Sequence, residues 1–156
     1  MARKIALLIG VSEYGEGLPF LSAPPNDVAA IQRVLENPNM AGFDQVDALL
    51  NPKLIDMQRA IKALFTQCVK DDLLLLYFSG HGITDDNNHL YLANRVTGKD
   101  DFDATAVPAW FIQQQSMNCY TRRQVIILDC CYSGAFAEGW QAKAAGLNLK
   151  QELGAE

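Results

Sequence analysis

The sequence predicts an α/β fold in which helices cover both faces of a mostly parallel central sheet. Three apolar runs of strand length, each followed by a polar or glycine-containing turn, predict strands buried on both faces: 4–11, 73–79 and 124–129. Segments with helical spacing of apolar residues separate these runs, and alternating strands and helices form parallel sheets with right-handed crossovers. The length of 156 residues is that of one domain.

The first half of the chain predicts strand, helix, strand and helix in that order. After the first strand, a loop rich in Gly and Pro leads to a helix that we expect Asn26 or Asp27 to cap. A short strand follows over 46–50. Asn51 and Pro52 then predict a helix start with a cap and an N1 proline. The apolar positions of these two helices are Val28, Ile31 and Leu35, and Leu54, Met57, Ile61, Leu64, Phe65 and Cys68.

The second half supplies the other two buried strands. The run 73–79 ends in the turn Gly80-His81-Gly82. Weak alternation over 89–94 predicts an edge strand or half of a hairpin, and His89 there is expected to be a half-exposed strand residue. A helix is expected near 107–112, before the last strand at 124–129.

Composition favours an ordinary globular protein. Apolar residues make up 49% of the chain and charged residues 20%. The longest apolar run, 73–78, is too short to span a bilayer, and no cleavable leader is evident, so we expect a cytoplasmic protein that binds no membrane. The four cysteines have no C-x-x-C spacing, which predicts thiols rather than a zinc site or disulfides.

Negative charge is concentrated in one part of the chain. The net charge is −5, and residues 71–103 contain seven aspartates against two basic residues, which accounts for all of the excess. An acidic domain without a basic stripe does not predict nucleic-acid binding. A local acidic field suits a cationic substrate or a divalent ion, and a solvated acidic surface is the alternative.

Polar residues directly follow two of the buried strands. In open α/β sheets ligands bind at the carboxyl ends of the strands. Here one strand runs into Ser79-Gly80-His81-Gly82 and another into Asp129-Cys130-Cys131-Tyr132-Ser133-Gly134. A histidine beside a cysteine favours nucleophilic thiol catalysis, because imidazole can take the thiol proton. The neighbouring glycines allow backbone N–H groups to approach a reacting carbonyl.

Two other active-site classes are disfavoured. The glycines within 10–17 are not followed by Lys-Ser/Thr, and the two glutamates among them would repel a phosphate, so a nucleotide-binding loop is not predicted. No G-x-S-x-G sequence occurs, which disfavours a serine hydrolase.

The two polar segments resemble the large-subunit (p20) domain of caspase-like cysteine peptidases, in particular the metacaspase and prokaryotic orthocaspase branch. His81 precedes Cys131 by 50 residues, a separation like that in caspases. The resemblance extends from Lys4 to about Trp140. It implies a caspase-like three-layer α/β/α fold with a mostly parallel central sheet. It also implies Cys131 as nucleophile, His81 as general base and acid, and the N–H groups of Gly82 and Cys131 as the oxyanion hole. No cofactor is required for this chemistry, and Cys130 is expected to be a packing residue.

The resemblance also implies a substrate class. Asp129 stands where animal caspases have Gln, and a carboxylate there would attract Arg or Lys and repel an acidic P1 residue. Asp27 and Ser79 match further pocket residues of metacaspases, so the expected partners are polypeptide substrates with P1 Arg or Lys. A helix cap at Asp27 and a strand cap at Ser79 are the structural alternatives. Tyr132 and Pro24 depart from the family pattern, which leaves the shape of the pocket open but not its charge.

Calcium activation remains open. Many metacaspases bind Ca²⁺ through an acidic loop and an acid after the cysteine, and the corresponding residues here are Asp100, Asp101, Asp103 and Glu138. The loop is shorter than in calcium-dependent members, so no metal site is assigned.

The resemblance further implies a large subunit, with residues 1–140 as the p20 catalytic domain. Residues 141–156 would be a tail or linker toward a p10-like small subunit or C-terminal portion, and would carry Lys143 and Lys150 as self-cleavage candidates. Two alternative functions stay open: a non-catalytic caspase-like scaffold or regulatory module in a signalling or defence assembly, and a separase-like or CHAT-type peptidase.

Overall fold

The structure of the chain is a computed structural model that describes residues 2–130. Cys131, Tyr132, Glu138 and the tail 141–156 with its two lysines therefore lie outside the described residues. The strands are β1 (Lys4–Gly10), β2 (Gln45–Leu50), β3 (Leu73–Gly80), β4 (Gly82–Thr84), β5 (Leu90–Leu92), β6 (Val107–Pro108) and β7 (Arg123–Cys130). The helices are α1 (Ala23–Glu36), α2 (Leu54–Thr66), α3 (Phe102–Thr105) and α4 (Ala109–Met117).

Within the described residues, the main sheet has four parallel strands in the order β2-β1-β3-β7. The strands β1, β3 and β7 are the three predicted apolar runs, because a parallel sheet covered on both faces needs apolar side chains on both faces. A small antiparallel sheet, β4-β5-β6, confirms the predicted hairpin. The helix expected near 107–112 begins only at Ala109, since Val107–Pro108 pairs with β5 as β6.

Helices cover the two faces of the main sheet. On one face, α1 packs Val28 and Leu35 against Ala6, Leu8 and Tyr77. On the other face, α2 and α4 bury a larger cluster against β1 and β3, including Met57, Ile61, Leu64, Phe65 and Ile112. The predicted three-layer α/β/α architecture is confirmed over the described residues. None of the helices in this part of the chain is long and apolar enough to cross a membrane.

The order of the described strands creates a switch point between β1 and β3. From β1 the chain continues outward to β2, and it then returns past β1 to β3 and β7. The connections that leave the carboxyl ends of β1 and β3 diverge there, and such a crevice is where open α/β sheets bind ligands. The loop after β1 and the turn after β3 therefore border the expected ligand site.

Both predicted helix caps are wrong, for reasons visible in the geometry. α1 begins four to five residues earlier than predicted, with Ser22 at the N-cap position and prolines in its first turn, where helical N–H groups have no partner in any case. Asn26 and Asp27 thus lie inside the helix. α2 starts at Leu54. Asn51 has a positive φ of 51° and accepts hydrogen bonds from the N–H groups of Ser12 and Glu13, so its side chain fixes the loop after β1.

Candidate active site

The carboxyl ends of β3 and β7 lie side by side. In the parallel register, Ser79 is paired with Asp129 and Gly80 with Cys130. His81 directly follows β3, and the chain position after Cys130 is Cys131. The two polar segments singled out in the sequence are therefore brought together at one edge of the sheet, up to the last described residue.

The ring of His81 is fixed by a backbone carbonyl. Its Nε2 lies 2.8 Å from the oxygen of Pro19, in the loop after β1. A carbonyl oxygen can only accept, so Nε2 must carry the hydrogen, and in the neutral ring the lone pair then lies on Nδ1. This tautomer leaves Nδ1 as the nitrogen able to take a proton from a neighbouring group.

Tyr14 contacts both the ring and the backbone of His81. The two ring centroids are 4.6 Å apart, and the Tyr14 hydroxyl accepts a hydrogen bond of 2.9 Å from the His81 N–H. The same hydroxyl donates to the carbonyl of Val11 at the end of β1. A Cβ at Gly80 would lie 2.8 Å from this hydroxyl, so glycine is needed for the approach.

Sequence reasoning missed Tyr14 and Pro19. Both lie in the loop after β1, where the glycine pattern points only to phosphate binding, a role that the sequence disfavours. Their position at the end of the first buried strand was the available signal, since β1 and β3 flank the switch point.

The three residues predicted to form the S1 pocket lie on the face of the sheet covered by α1. We call Asp27, Ser79 and Asp129 the acidic cluster. Ser79 is buried, donates from its hydroxyl to Asp27 Oδ2 over 3.1 Å, and is the register partner of Asp129. Asp27 is half-buried and Asp129 is exposed. The structure thus brings these residues together, and Asp27 makes a tertiary contact in place of the helix cap.

A tyrosine that the sequence analysis did not single out borders this cluster. The Tyr77 hydroxyl donates to Asp129 Oδ2 over 3.3 Å. Burial raises the pKa of Tyr77 to about 12, with the charges of Asp129 and Asp27 adding to the increase and a hydrogen bond with Ser79 opposing it. Tyr77 stands two residues before Ser79, so strand alternation alone placed it on the same face.

Gly82, the expected oxyanion donor, lies in β4 against the end of β7. A Cβ on Gly82 would be 2.9 Å from Cys130 Cβ, so only glycine allows this approach. The Cys130 side chain packs against the core cluster under α2 and α4, which confirms the expected packing role. The other expected oxyanion donor, the N–H of Cys131, lies outside the described residues.

The acidic loop does not assemble a ligand set. Asp100, Asp101 and Asp103 are exposed around α3, and within residues 2–130 no three His, Cys, Asp or Glu side chains are arranged to hold a metal ion. Glu138 lies beyond this range. His89 is exposed, precedes β5 and pairs with Asp85 over 3.1 Å, so its expected place within a strand was wrong by one residue.

Comparison with known proteins identifies the family. A search of curated protein sequences gives no match. A family model described as a caspase domain, Peptidase_C14, matches residues 3–152, almost the whole chain. The fold and the paired ends of β3 and β7 agree with that match, and we conclude that this chain belongs to the caspase-domain family of cysteine peptidases.

Proposed function

We propose that the chain is a cysteine endopeptidase that hydrolyses peptide bonds after Arg or Lys, with Cys131 as nucleophile and His81 as general base and acid. The pairing of Gly80 with Cys130 is the observation that carries this proposal. His81 and Cys131 directly follow this pair in the sequence, and the backbones of the paired strands β3 and β7 lie about 4.8 Å apart. A thiol and an imidazole leaving adjacent strand ends can exchange a proton.

The chemistry proposed for this pair proceeds in two stages. His81 Nδ1 takes the thiol proton, and the thiolate of Cys131 attacks the substrate carbonyl. The C–N bond then breaks, His81 returns the proton to the leaving amine, and a thioester remains. Water gives a proton to His81 and attacks the thioester, which releases the carboxylic acid product and regenerates the thiol. The N–H groups of Gly82 and Cys131 would stabilise the oxyanion in both stages.

The acidic cluster supports the proposed preference for a cationic P1 side chain. Asp27 and Asp129 present two carboxylates on one face, with the Ser79 hydroxyl beside them. A guanidinium has five donors in a planar fork and an ammonium has three, so both can bond to carboxylates. An acidic P1 side chain would be repelled by the same charges.

Peptide hydrolysis tests the nucleophile and the pocket together. We expect fluorogenic peptides with P1 Arg or Lys to be cleaved and the P1 Asp peptide to be left intact. Cys131→Ala should abolish cleavage, whereas the matched variant Cys130→Ala should retain it, since Cys130 is a packing residue. Preferential cleavage after Asp would contradict the pocket, and activity in Cys131→Ala would contradict the nucleophile. Failure of the wild type on every peptide would favour the non-catalytic module.

A p10-like small subunit or C-terminal portion is part of the proposal. Among the described strands, β7 pairs with β3 alone, and its residues Val125 and Ile127 are exposed. An edge strand with exposed apolar residues favours further polypeptide beside it. Sedimentation analysis of the active protein should then show that it is associated with further polypeptide and is not a monomer. Full activity of a strict monomer would contradict the need for a partner.

Activation by Ca²⁺ is a further part of the proposal, and it follows from the resemblance to metacaspases. The exposed aspartates at 100, 101 and 103 supply oxygen ligands of the type that Ca²⁺ prefers. A calcium titration with a chelator control tests this, and an unchanged rate in both would contradict it.

A further inference from the structure

The Tyr77 side chain lies in the core but carries a hydroxyl, a polar group that does not contribute to apolar packing. The residue lies in β3 and is 5% exposed, and its ring packs with the cluster under α1. A buried hydroxyl without a partner is destabilising, so phenylalanine would suit a purely apolar position better. The presence of tyrosine at this position must therefore be explained by the groups that its hydroxyl contacts.

The register of β3 and β7 explains how the hydroxyl reaches the acidic cluster. Tyr77 and Ser79 lie on the same face of β3, and their partners on β7 are Ile127 and Asp129. The phenol ring extends one pair further along the sheet, past Ile127, and its oxygen lies 3.3 Å from Asp129 Oδ2. The contact is therefore diagonal, and an aromatic side chain is long enough to make it.

The chemistry of the contact fixes the direction of the hydrogen bond. An ionised carboxylate only accepts, so the phenol must donate. The Tyr77 hydroxyl also interacts with Ser79 and lies within reach of the Asp27 charge, so all three members of the acidic cluster act on it. With its pKa near 12, the phenol keeps its proton, and hence its role as donor, throughout the neutral range.

We propose that Tyr77 is a positioning residue for P1 recognition: its hydroxyl orients the Asp129 carboxylate toward the space shared with Ser79 and Asp27, where a cationic P1 side chain would bind. This inference rests on the proposed function. It assigns Tyr77 no contact with the reacting atoms. The bond of 3.3 Å is longer than the usual O–H···O distance of about 2.7 Å, so we expect it to add little to stability.

Tyr77→Phe isolates the hydroxyl, because the ring that packs in the core stays. We expect KM for P1 Arg and P1 Lys peptides to rise by about threefold to tenfold, the effect of losing one ordinary hydrogen bond, while kcat changes less than about twofold. The rate at which iodoacetamide inactivates the enzyme should stay unchanged, since that reaction needs the thiol and not the pocket.

The chain offers a matched control in Tyr91→Phe. Tyr91 in β5 donates to Asp85 Oδ2 over the same distance, 3.3 Å, away from the acidic cluster. This variant removes an equivalent bond and should leave KM unchanged. An equal rise in KM in both variants, or a fall in kcat alone in Tyr77→Phe, would overturn the inference.

A double-mutant cycle tests whether Tyr77 acts through Asp129. In an Asp129→Asn background, Tyr77→Phe should add less than about twofold to KM, because the carboxylate it orients is already gone. Independent, multiplying effects would overturn the inference while leaving the proposed function intact. A wild type that cleaves neither Arg nor Lys peptides would instead overturn the proposed function and the inference with it.

Discussion

The phenol of Tyr14 holds His81 at two points. Its ring lies 4.6 Å from the imidazole between centroids, and its hydroxyl accepts the His81 backbone N–H over 2.9 Å. Together with the Pro19 carbonyl on Nε2, these contacts hold the backbone and the ring of His81 through the loop after β1. The orientation of the proposed base is therefore set across the switch point, by a segment more than 60 residues earlier in the chain.

Removing the Tyr14 hydroxyl should slow catalysis without weakening substrate binding. Tyr14→Phe keeps the ring but leaves the His81 N–H without its acceptor, so we expect kcat to fall by about threefold to tenfold at unchanged KM. Tyr14→Leu, which also removes the aromatic contact, should lower kcat further. Steady-state kinetics on a P1 Arg peptide measures both.

Tyr120→Phe is the control for Tyr14, because Tyr120 is 79% exposed. It should behave as wild type. A rise in KM in Tyr14→Phe with kcat intact would mean that Tyr14 acts on the substrate and not on His81.

Neutralising Asp27 should weaken binding of basic substrates. Asp27→Asn keeps the shape of the side chain and its capacity to accept from Ser79, but it removes one of the two negative charges of the acidic cluster. We expect KM for P1 Arg and Lys peptides to rise at least about tenfold, the effect of losing a partly buried charge pair. The exposed Asp86→Asn is the control. Equal KM values for these two variants would place the P1 contact elsewhere.

The sequence predicted the strands of the main sheet and the position of His81 directly after one of them, because long apolar runs and the polar turns after them are local signals. It also predicted Asp27, Ser79 and Asp129 as a group, through the family resemblance. The helix starts were wrong, since Asn51 and Asp27 are both able to cap a helix but are used for tertiary hydrogen bonds.

The contacts that were missed connect distant parts of the chain. Tyr14, Pro19 and Tyr77 act on His81 or Asp129 across 52 to 67 residues, and no periodicity reports such a distance. The alternation of β3 could place Tyr77 on the face of the acidic cluster, but only the register with β7 gives the Asp129 contact.

Asp72 should link stability to acid pH. This buried carboxylate accepts hydrogen bonds from the N–H groups of Val69 and Arg3 and pairs with the Arg3 guanidinium over 3.0 Å. These contacts outweigh burial and lower its pKa from 3.8 to about 2. A carboxylate whose pKa is lower in the folded chain than in the unfolded chain stabilises the fold at pH values above the pKa of the unfolded chain. This contribution is therefore complete above pH 4 and is lost as the pH falls toward 2.

Urea unfolding of Asp72→Asn at several pH values checks this. The variant should be less stable than wild type at pH 7, and the difference should shrink between pH 4 and pH 2, where the wild-type carboxylate takes up its proton. Asp71→Asn changes an exposed neighbour and should follow the wild-type curve. A difference that is independent of pH would contradict the charged role of Asp72.

The Cys68 and Cys119 thiols should be slow to react although their sulfur atoms are only 2.9 Å apart. Burial, followed by the hydrogen bond with Cys68, raises the pKa of Cys119 from 9.0 to about 11. At pH 8 this lowers its thiolate fraction by roughly 100-fold, and the greater nucleophilicity of a more basic thiolate recovers about tenfold of the reaction rate.

Mass spectrometry of iodoacetamide-treated protein should therefore show Cys119 alkylated about tenfold more slowly in the folded chain than in urea. The raised pKa stabilises the fold below pH 9, and this contribution is lost as the pH rises toward 11. Equal alkylation rates in the folded and unfolded chain would show that neither burial nor Cys68 protects this thiol.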